Sequence, residues 1–211
     1  MEKIKLSLWD TFAFVASSSV LHIVLISNEY FIVNTDLNNV ETFFSLAKDN
    51  ILGTAIIIII YFLLSGMIFD LVANQIFDWL YKIFKQKKYF DQDEMNQMDK
   101  FIKKHILEQT GFEIKGNPYH FVKDYLTIKG TNSLFLVFLS KFGFYRSCTV
   151  IFIGVAVRNV FINSCQGYLS IIVYGAVAIL SYKRARQFYD YQGPTLFRTY
   201  IMSMMKNTNS N

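Results

Sequence analysis

The sequence predicts an all-α integral membrane protein with four transmembrane helices, arranged as two hairpins (2+2) with a helical cytoplasmic insertion between spans 2 and 3. Apolar residues make up 53% of the 211 residues and charged residues only 18%, against roughly 45–50% and 25% in soluble proteins. Four stretches approach the length of about 20 apolar residues that a bilayer core requires. Most lysines and arginines lie outside these stretches.

Each of the four spans is predicted from its own residues. Span 1 covers 11–27 and contains "FAFVASSSVLHIVLI", and span 2 covers 51–72 with "AIIIIIYFLLSGMIF", the clearest of the four. Span 3 covers 147–162. Span 4 covers 168–182, "YLSIIVYGAVAILSY", which is short but flanked by tyrosines. A soluble chain of this length cannot bury four such helices, so we expect hydrocarbon around them.

The distribution of basic residues predicts the orientation of the spans. The segment 73–145 holds 11 lysines and 8 acids, and the tail from Lys183 holds five basic residues against Asp190 alone. The segment 28–50 holds four acids and one lysine. We therefore expect a multi-pass protein of the cell inner (plasma) membrane with both termini in the cytoplasm.

These spans divide the chain into four predicted regions. Residues 1–72 form the first transmembrane hairpin with a short external loop, and residues 73–145 form the helical cytoplasmic insertion. Residues 146–182 form the second hairpin. Residues 183–211 form a basic cytoplasmic tail with an amphipathic helix.

Within the insertion, a helix is expected to begin after Asp91, with Glu94 completing a capping-box-like pair, and to end at Gly111. An apolar stripe at helical spacing follows this helix: Met95, Met98, Ile102 and Ile106. The stripe needs a partner, either the cytoplasmic extension of span 2 or the segment after Pro118.

The tail is expected to change direction at "QGP", residues 192–194, which should break the fourth helix. The segment after it, "TLFRTYIMSMM", has apolar residues at helical spacing. We expect this segment to lie at the membrane interface or to dock on the insertion.

Basic side chains near the span ends are expected to lie at the membrane surface, each attracted to acidic headgroups by on the order of 1 kcal/mol. They are Lys82, Lys85, Lys87, Lys88, Arg184 and Arg186. Membrane lipids are therefore predicted partners. Nucleic acid is not expected, because no base-stacking motif accompanies the lysines.

Six side chains at membrane depth are the candidate functional residues, because a charge at the centre of a span costs roughly 2.5–3.5 kcal/mol. An inner layer is predicted to contain Asp10, Asp70 and Arg146, and an outer layer Glu29, His22 and Arg158. Either Glu29 or His22 can reach Arg158; alternatively, Arg158 extends to the outer headgroups. Salt bridges that fix the helix order are favoured over a transport pathway.

No motif for catalysis, phosphate binding or metal binding is present. The three histidines are scattered along the sequence, so neither a metal nor a cofactor is expected. Cys148 and Cys165 lie on one helix and its exit, about 25 Å apart, which is too far for a disulfide. We therefore predict that the protein is not an enzyme.

The expected function is association. The sequence favours a four-span membrane protein that acts by oligomerisation, as a homo-oligomer, or by docking a cytosolic protein partner. A narrower interpretation is a membrane effector or accessory of a bacterial antiviral defence system. The alternative is a small ion channel or transporter with Arg158 and His22 in its pathway.

Overall fold

The computed structural model describes residues 8–29, 51–84, 88–130, 133–162 and 165–208. All regular secondary structure in these ranges is helical. The helices are α1 (Leu8–Asn28), α2 (Ile51–Ile83), α3 (Gln92–Thr110), α4 (Tyr119–Ile128), α5 (Ser133–Asn159) and α6 (Cys165–Thr208). Of these, α1, α2, α5 and α6 are long and apolar enough to cross a membrane. The predicted all-α fold class and its four apolar helices are therefore confirmed.

The chain forms two compact units. Unit 1 comprises Met1–Phe84 and Phe142–Ala185, and unit 2 comprises Lys85–Lys141 and Arg186–Asn211. Thus α1 and α2 belong to unit 1 and α3 and α4 to unit 2, whereas α5 and α6 contribute residues to both. Helix α2 has 33 residues and is therefore about 50 Å long. It continues well past residue 72, where no Gly or Pro interrupts residues 73–83.

In unit 1, α1 and α2 pack closely through small residues. A Cβ atom at Gly66 would overlap the backbone carbonyl of Phe14, so the two helix backbones touch at this point. Nearby, Ala13 and Ser18 are buried, and Ser18 Oγ lies 2.6 Å from Ser65 Oγ. Small residues permit such close contact between membrane helices.

Over residues 51–72, the rest of the α2 surface is largely apolar and exposed. Side chains more than half exposed recur along the helix at Ile57, Ile60, Leu64, Ile68 and Leu71. A continuous apolar surface of this kind is unfavourable in water. Hydrocarbon is the solvent that suits it, because the backbone polar groups are already paired within the helix.

Unit 2 has a hydrophobic core of its own, built from α3, α4, the start of α5 and the end of α6. Its buried members are Met98, Ile102, Ile106, Val122, Leu126, Phe135, Leu196, Phe197 and Tyr200. The apolar stripe of α3 thus packs against the segment after Pro118, one of the two predicted partners. The tail helix completes the core, so the docked alternative predicted for the tail is the one observed.

Both predicted ends of α3 are observed. Asp91 is the N-cap and its side chain accepts a hydrogen bond of 2.9 Å from the backbone N–H of Asp93. At the other end, Gly111 adopts the left-handed conformation with φ 69°, which favours glycine. Glu94 does not complete a capping box: its carboxylate accepts a hydrogen bond of 2.6 Å from Arg198 Nη2 in the tail.

The prediction that residues 192–194 break the fourth helix is wrong. Helix α6 runs without interruption from Cys165 to Thr208 with Pro194 inside it. Proline removes the hydrogen bond to the carbonyl four residues earlier, that of Asp190. Beyond the proline, Leu196 and Phe197 are fully buried in the core of unit 2, and this packing outweighs the lost bond.

Candidate functional site

Among the described side chains of unit 1, the most deeply buried charge is that of Arg146, which joins α5 to α2. Its Nη2 donates a hydrogen bond of 2.5 Å to Asp70 Oδ1, and its Nη1 donates one of 2.6 Å to Asn74 Oδ1. The guanidinium also lies 4.8 Å from the centre of the Phe142 ring. The Arg146 side chain is 9% exposed, so Asp70 neutralises a charge that water scarcely reaches. Sequence reasoning did not foresee the part of Asn74.

Arg158 pairs with Glu29, which joins α5 to the end of α1. Both side chains are partly exposed, at 44% and 31%. The structure thus places Arg158 against one of its two predicted partners. Solvent or headgroups can screen this pair more than they screen the Arg146 pair.

A third polar group, named here the amide cluster, consists of Asn28, Asn159 and Ser170. Asn159 Nδ2 donates hydrogen bonds of 2.7 Å to both Asn28 Oδ1 and Ser170 Oγ. Ser170 Oγ donates to the backbone carbonyl of Gly167 at 2.6 Å. The cluster joins α1, α5 and α6, and all three side chains are buried. The sequence marks Asn159 as polar but gives no sign of which helix positions face it.

His22 is held by the α1–α2 hairpin. Its Nδ1 lies 2.7 Å from the carbonyl oxygen of Ser18, and a carbonyl only accepts, so Nδ1 carries the proton. In the neutral ring Nε2 then accepts from the hydroxyl of Tyr61 at 2.9 Å. Within the described part of the chain, no contact joins His22 to Arg158. The three residues predicted to form one outer layer therefore form two separate groups: the ion pair of Arg158 with Glu29, and His22 with its own partners.

The predicted inner layer is described only in part. Asp70 and Arg146 are in contact, whereas Asp10 lies in α1 and its side chain is outside the described side chains.

Cys148 and Cys165 are free thiols, the first buried and the second exposed. Among the described residues, no group of three or more His, Cys, Asp or Glu side chains could hold a metal ion.

The predicted membrane-surface cations divide into three groups. Lys82, Lys88 and Arg184 are exposed, and Lys85 and Lys87 lie outside the described residues. The prediction for Arg186 is wrong, because its side chain is 2% exposed. It lies inside unit 2, with its guanidinium 5.5 Å from the ring centre of Tyr89 and its Nε 3.9 Å from Asp190. The residues around Arg184 and Arg186 in the sequence do not indicate that the first side chain is exposed and the second buried.

Comparisons with protein-family models, with curated proteins and with solved structures found no match for this chain. The chemistry of the site therefore rests on the geometry alone. Each polar group of unit 1 described above joins residues of two or more helices. Such contacts fix which helices are neighbours and in which register they pack.

Proposed function

We propose that this chain is a non-enzymatic, four-span protein of the plasma (inner) membrane that docks a cytosolic protein on unit 2. Unit 1 would hold the protein in the bilayer, with lipid as its surroundings. Unit 2 would present a folded surface to the cytosol. The observation that carries the proposal is that unit 2 has a hydrophobic core of its own. A segment that only connects two spans, and a tail that only follows the last one, would not need to fold together around such a core.

The composition of unit 2 supports the proposed topology. Its core combines residues of the insertion, such as Ile102 and Val122, with residues of the tail, such as Phe197. Two segments that share one core must lie on the same side of a membrane. The part of the chain between them must then cross an even number of times, which fits two spans in α5 and α6. The basic residues of the insertion and tail favour the cytoplasm for that side.

The polar contacts of unit 1 support a structural part for the spans. Arg146 and Arg158 are each paired with a carboxylate, and His22 has partners on both ring nitrogens. Paired groups of this kind stabilise a helix order. A conduction path would instead need polar groups that a passing ion can reach.

Unit 2 carries large apolar side chains outside its core. Phe112 is 63% exposed and Ile128 is 87% exposed. Phe101 is half exposed and stacks on His105, with 6.4 Å between ring centres. Exposed aromatic and branched side chains of this kind are the anchors that protein interfaces use. We name Phe101, Phe112 and Ile128 the docking residues.

The test is the composition of the complex that the full chain forms when it is extracted from its native membrane in mild detergent. The proposal predicts a particle that contains a second, cytosolic protein, identified by mass spectrometry. Phe112→Glu and Ile128→Glu should each release that protein, because a carboxylate at an interface centre is costly to desolvate. Gln109→Glu, at an exposed polar position in the same unit, should leave the complex intact.

If the particle contains several copies of the chain and no second protein, the chain acts as a homo-oligomer. Homo-oligomerisation is the other form of association that the sequence predicts. A monomer whose composition is the same in all three variants would overturn the proposal. The narrower form, a defence effector, predicts depolarisation of cells when the protein is triggered. An intact membrane potential would contradict that form alone.

The alternative function, a small channel or transporter, has its own test. Purified protein in sealed vesicles should then conduct ions, and Arg158→Ala should abolish the flux. The proposed docking function predicts no flux in either protein.

A further inference from the structure

The amide cluster of unit 1 contains one amide NH₂ group and one carbonyl oxygen without a hydrogen-bond partner. Asn159 Nδ2 uses both of its hydrogens, one on Asn28 and one on Ser170. Among the residues that the structure describes, neither Asn28 Nδ2 nor Asn159 Oδ1 has a hydrogen-bond partner. Both asparagine side chains are 0% exposed. Bulk water therefore does not supply the missing partners.

This remainder does not depend on which way the two amides are turned. Reversing one amide would bring two nitrogens or two oxygens together at 2.7 Å, which no hydrogen bond allows. Reversing both makes Asn28 the donor and Asn159 the acceptor, and it leaves Asn28 Oδ1 and Asn159 Nδ2 without partners. Ser170 would then have to donate its single proton to Asn159 Oδ1 instead of to the carbonyl of Gly167. In either orientation, one amide NH₂ group and one carbonyl oxygen have no partner.

Unpaired amide groups are rare in protein interiors and are least tolerable within an apolar bundle. A ligand that serves both groups must accept a hydrogen bond from the amide NH₂ group and donate one to the carbonyl oxygen. A metal cation donates none, and an anion without a proton donates none either. A hydroxyl group satisfies both, and water is the smallest molecule that carries one.

We propose that unit 1 binds one water molecule at the amide cluster, bridging Asn28 and Asn159. In the orientation shown, its oxygen accepts from Asn28 Nδ2 and one of its hydrogens is donated to Asn159 Oδ1. The Glu29–Arg158 pair lies one residue along from Asn28 and Asn159 on the same two helices. Arg158 is 44% exposed, and we expect water to enter on this side of unit 1. The inference is independent of what unit 2 binds.

The test is water-edited solid-state NMR on the full chain in lipid bilayers, with asparagine and isoleucine labelled with ¹⁵N. The side-chain amide of Asn28 should receive magnetisation from water although it is buried. Asn96, which is exposed on unit 2, is the internal positive control, and the buried backbone amide of Ile151 is the dry control. Asn28→Leu assigns the signal, which should be lost in that variant.

Asn28→Leu combined with Asn159→Leu provides a second arm, because it removes both unpaired groups together with the site. This variant should fold, and the remaining asparagine signals should keep their own water transfer. A fully dry Asn28 amide, with transfer no faster than at Ile151, would overturn the proposal. So would a structure that shows Asn28 Nδ2 bonded directly to a side chain of residues 30–50 or to a lipid hydroxyl.

Discussion

The two arginines of unit 1 have the same chemistry but different surroundings. Arg146 is almost fully buried and has both a carboxylate and an amide as partners. Arg158 is nearly half exposed and pairs with Glu29. Removing one partner of a buried pair leaves an uncompensated charge, whereas a partly exposed charge can find water or headgroups. The two pairs should therefore respond differently to mutation.

Asp70→Leu should destabilise the protein by roughly 3–5 kcal/mol, because it leaves the buried Arg146 guanidinium without its counter-charge. Adding Arg146→Leu to Asp70→Leu should restore much of the loss. The measurement is the unfolding free energy of the detergent-solubilised protein. The control is Lys104→Ala, which removes an exposed partner of Glu108 and should cost about 0.5 kcal/mol or less. Equal effects of Asp70→Leu and Lys104→Ala would show that the Arg146 pair is not buried.

Arg158→Leu should cost less, about 1 kcal/mol, since Glu29 stays partly exposed after its partner is lost. Glu29→Gln in the same chain should partly restore stability because it removes the unpaired carboxylate. Thermal unfolding of the single and double variants measures the coupling between the two residues. A stability of Arg158→Leu equal to that of the unchanged protein would remove Arg158 from the helix-fixing contacts.

At the scale of helices, Gly66→Ala and Gly154→Ala in unit 1 are expected to have opposite effects on stability. Gly66→Ala should disrupt the α1–α2 hairpin, because the new Cβ would overlap the Phe14 backbone, which cannot move aside as a flexible side chain can. Gly154→Ala meets nothing within 4 Å. It should be neutral or stabilise α5 by up to about 1 kcal/mol through helix propensity. Melting temperatures of the two variants, measured side by side, test the pair, and a Gly66→Ala protein as stable as Gly154→Ala would contradict the close packing.

The sequence predicted helix elements wherever the deciding interaction is local. Asp91 and Gly111 bound α3 through contacts within a few residues of the chain, and the stripe from Met95 to Ile106 shows its apolar face by spacing alone. The prediction of a helix break at Pro194 was wrong because the deciding interaction there is not local. Its helix is maintained by the burial of residues beyond it against α3 and α4, and that tertiary contact outweighs the local preference of proline.

The contacts of the candidate site could be predicted from the sequence only for its charged residues, which need a partner of opposite charge. Unpaired charges in a membrane are costly, so partners for Arg146 and Arg158 could be sought among few acids. Neutral groups carry no such demand. The meeting of Asn28 with Asn159, and of Gly66 with Phe14, depends on the register of neighbouring helices, which a single sequence does not contain.

For the whole molecule, the surfaces of the two units differ in kind. Unit 1 exposes isoleucines and leucines along most of α2, and its two described arginines at membrane depth, Arg146 and Arg158, are paired with carboxylates. Unit 2 buries a compact core and exposes lysines such as Lys104 beside a few large apolar residues. These are the surfaces expected of a part that hydrocarbon surrounds and a part that water surrounds. The account of polar pairs, docking residues and topology depends on that difference.

The most direct test of this central claim is flotation of the full chain on a density gradient after an alkaline wash of the membranes that contain it. The wash releases proteins held only by surface contacts and leaves integral ones in the bilayer. We predict that the intact chain floats with the lipid after the wash. Intact chain that stays at the bottom of the gradient, free of lipid, would contradict the claim that hydrocarbon surrounds α1, α2 and the unit 1 parts of α5 and α6.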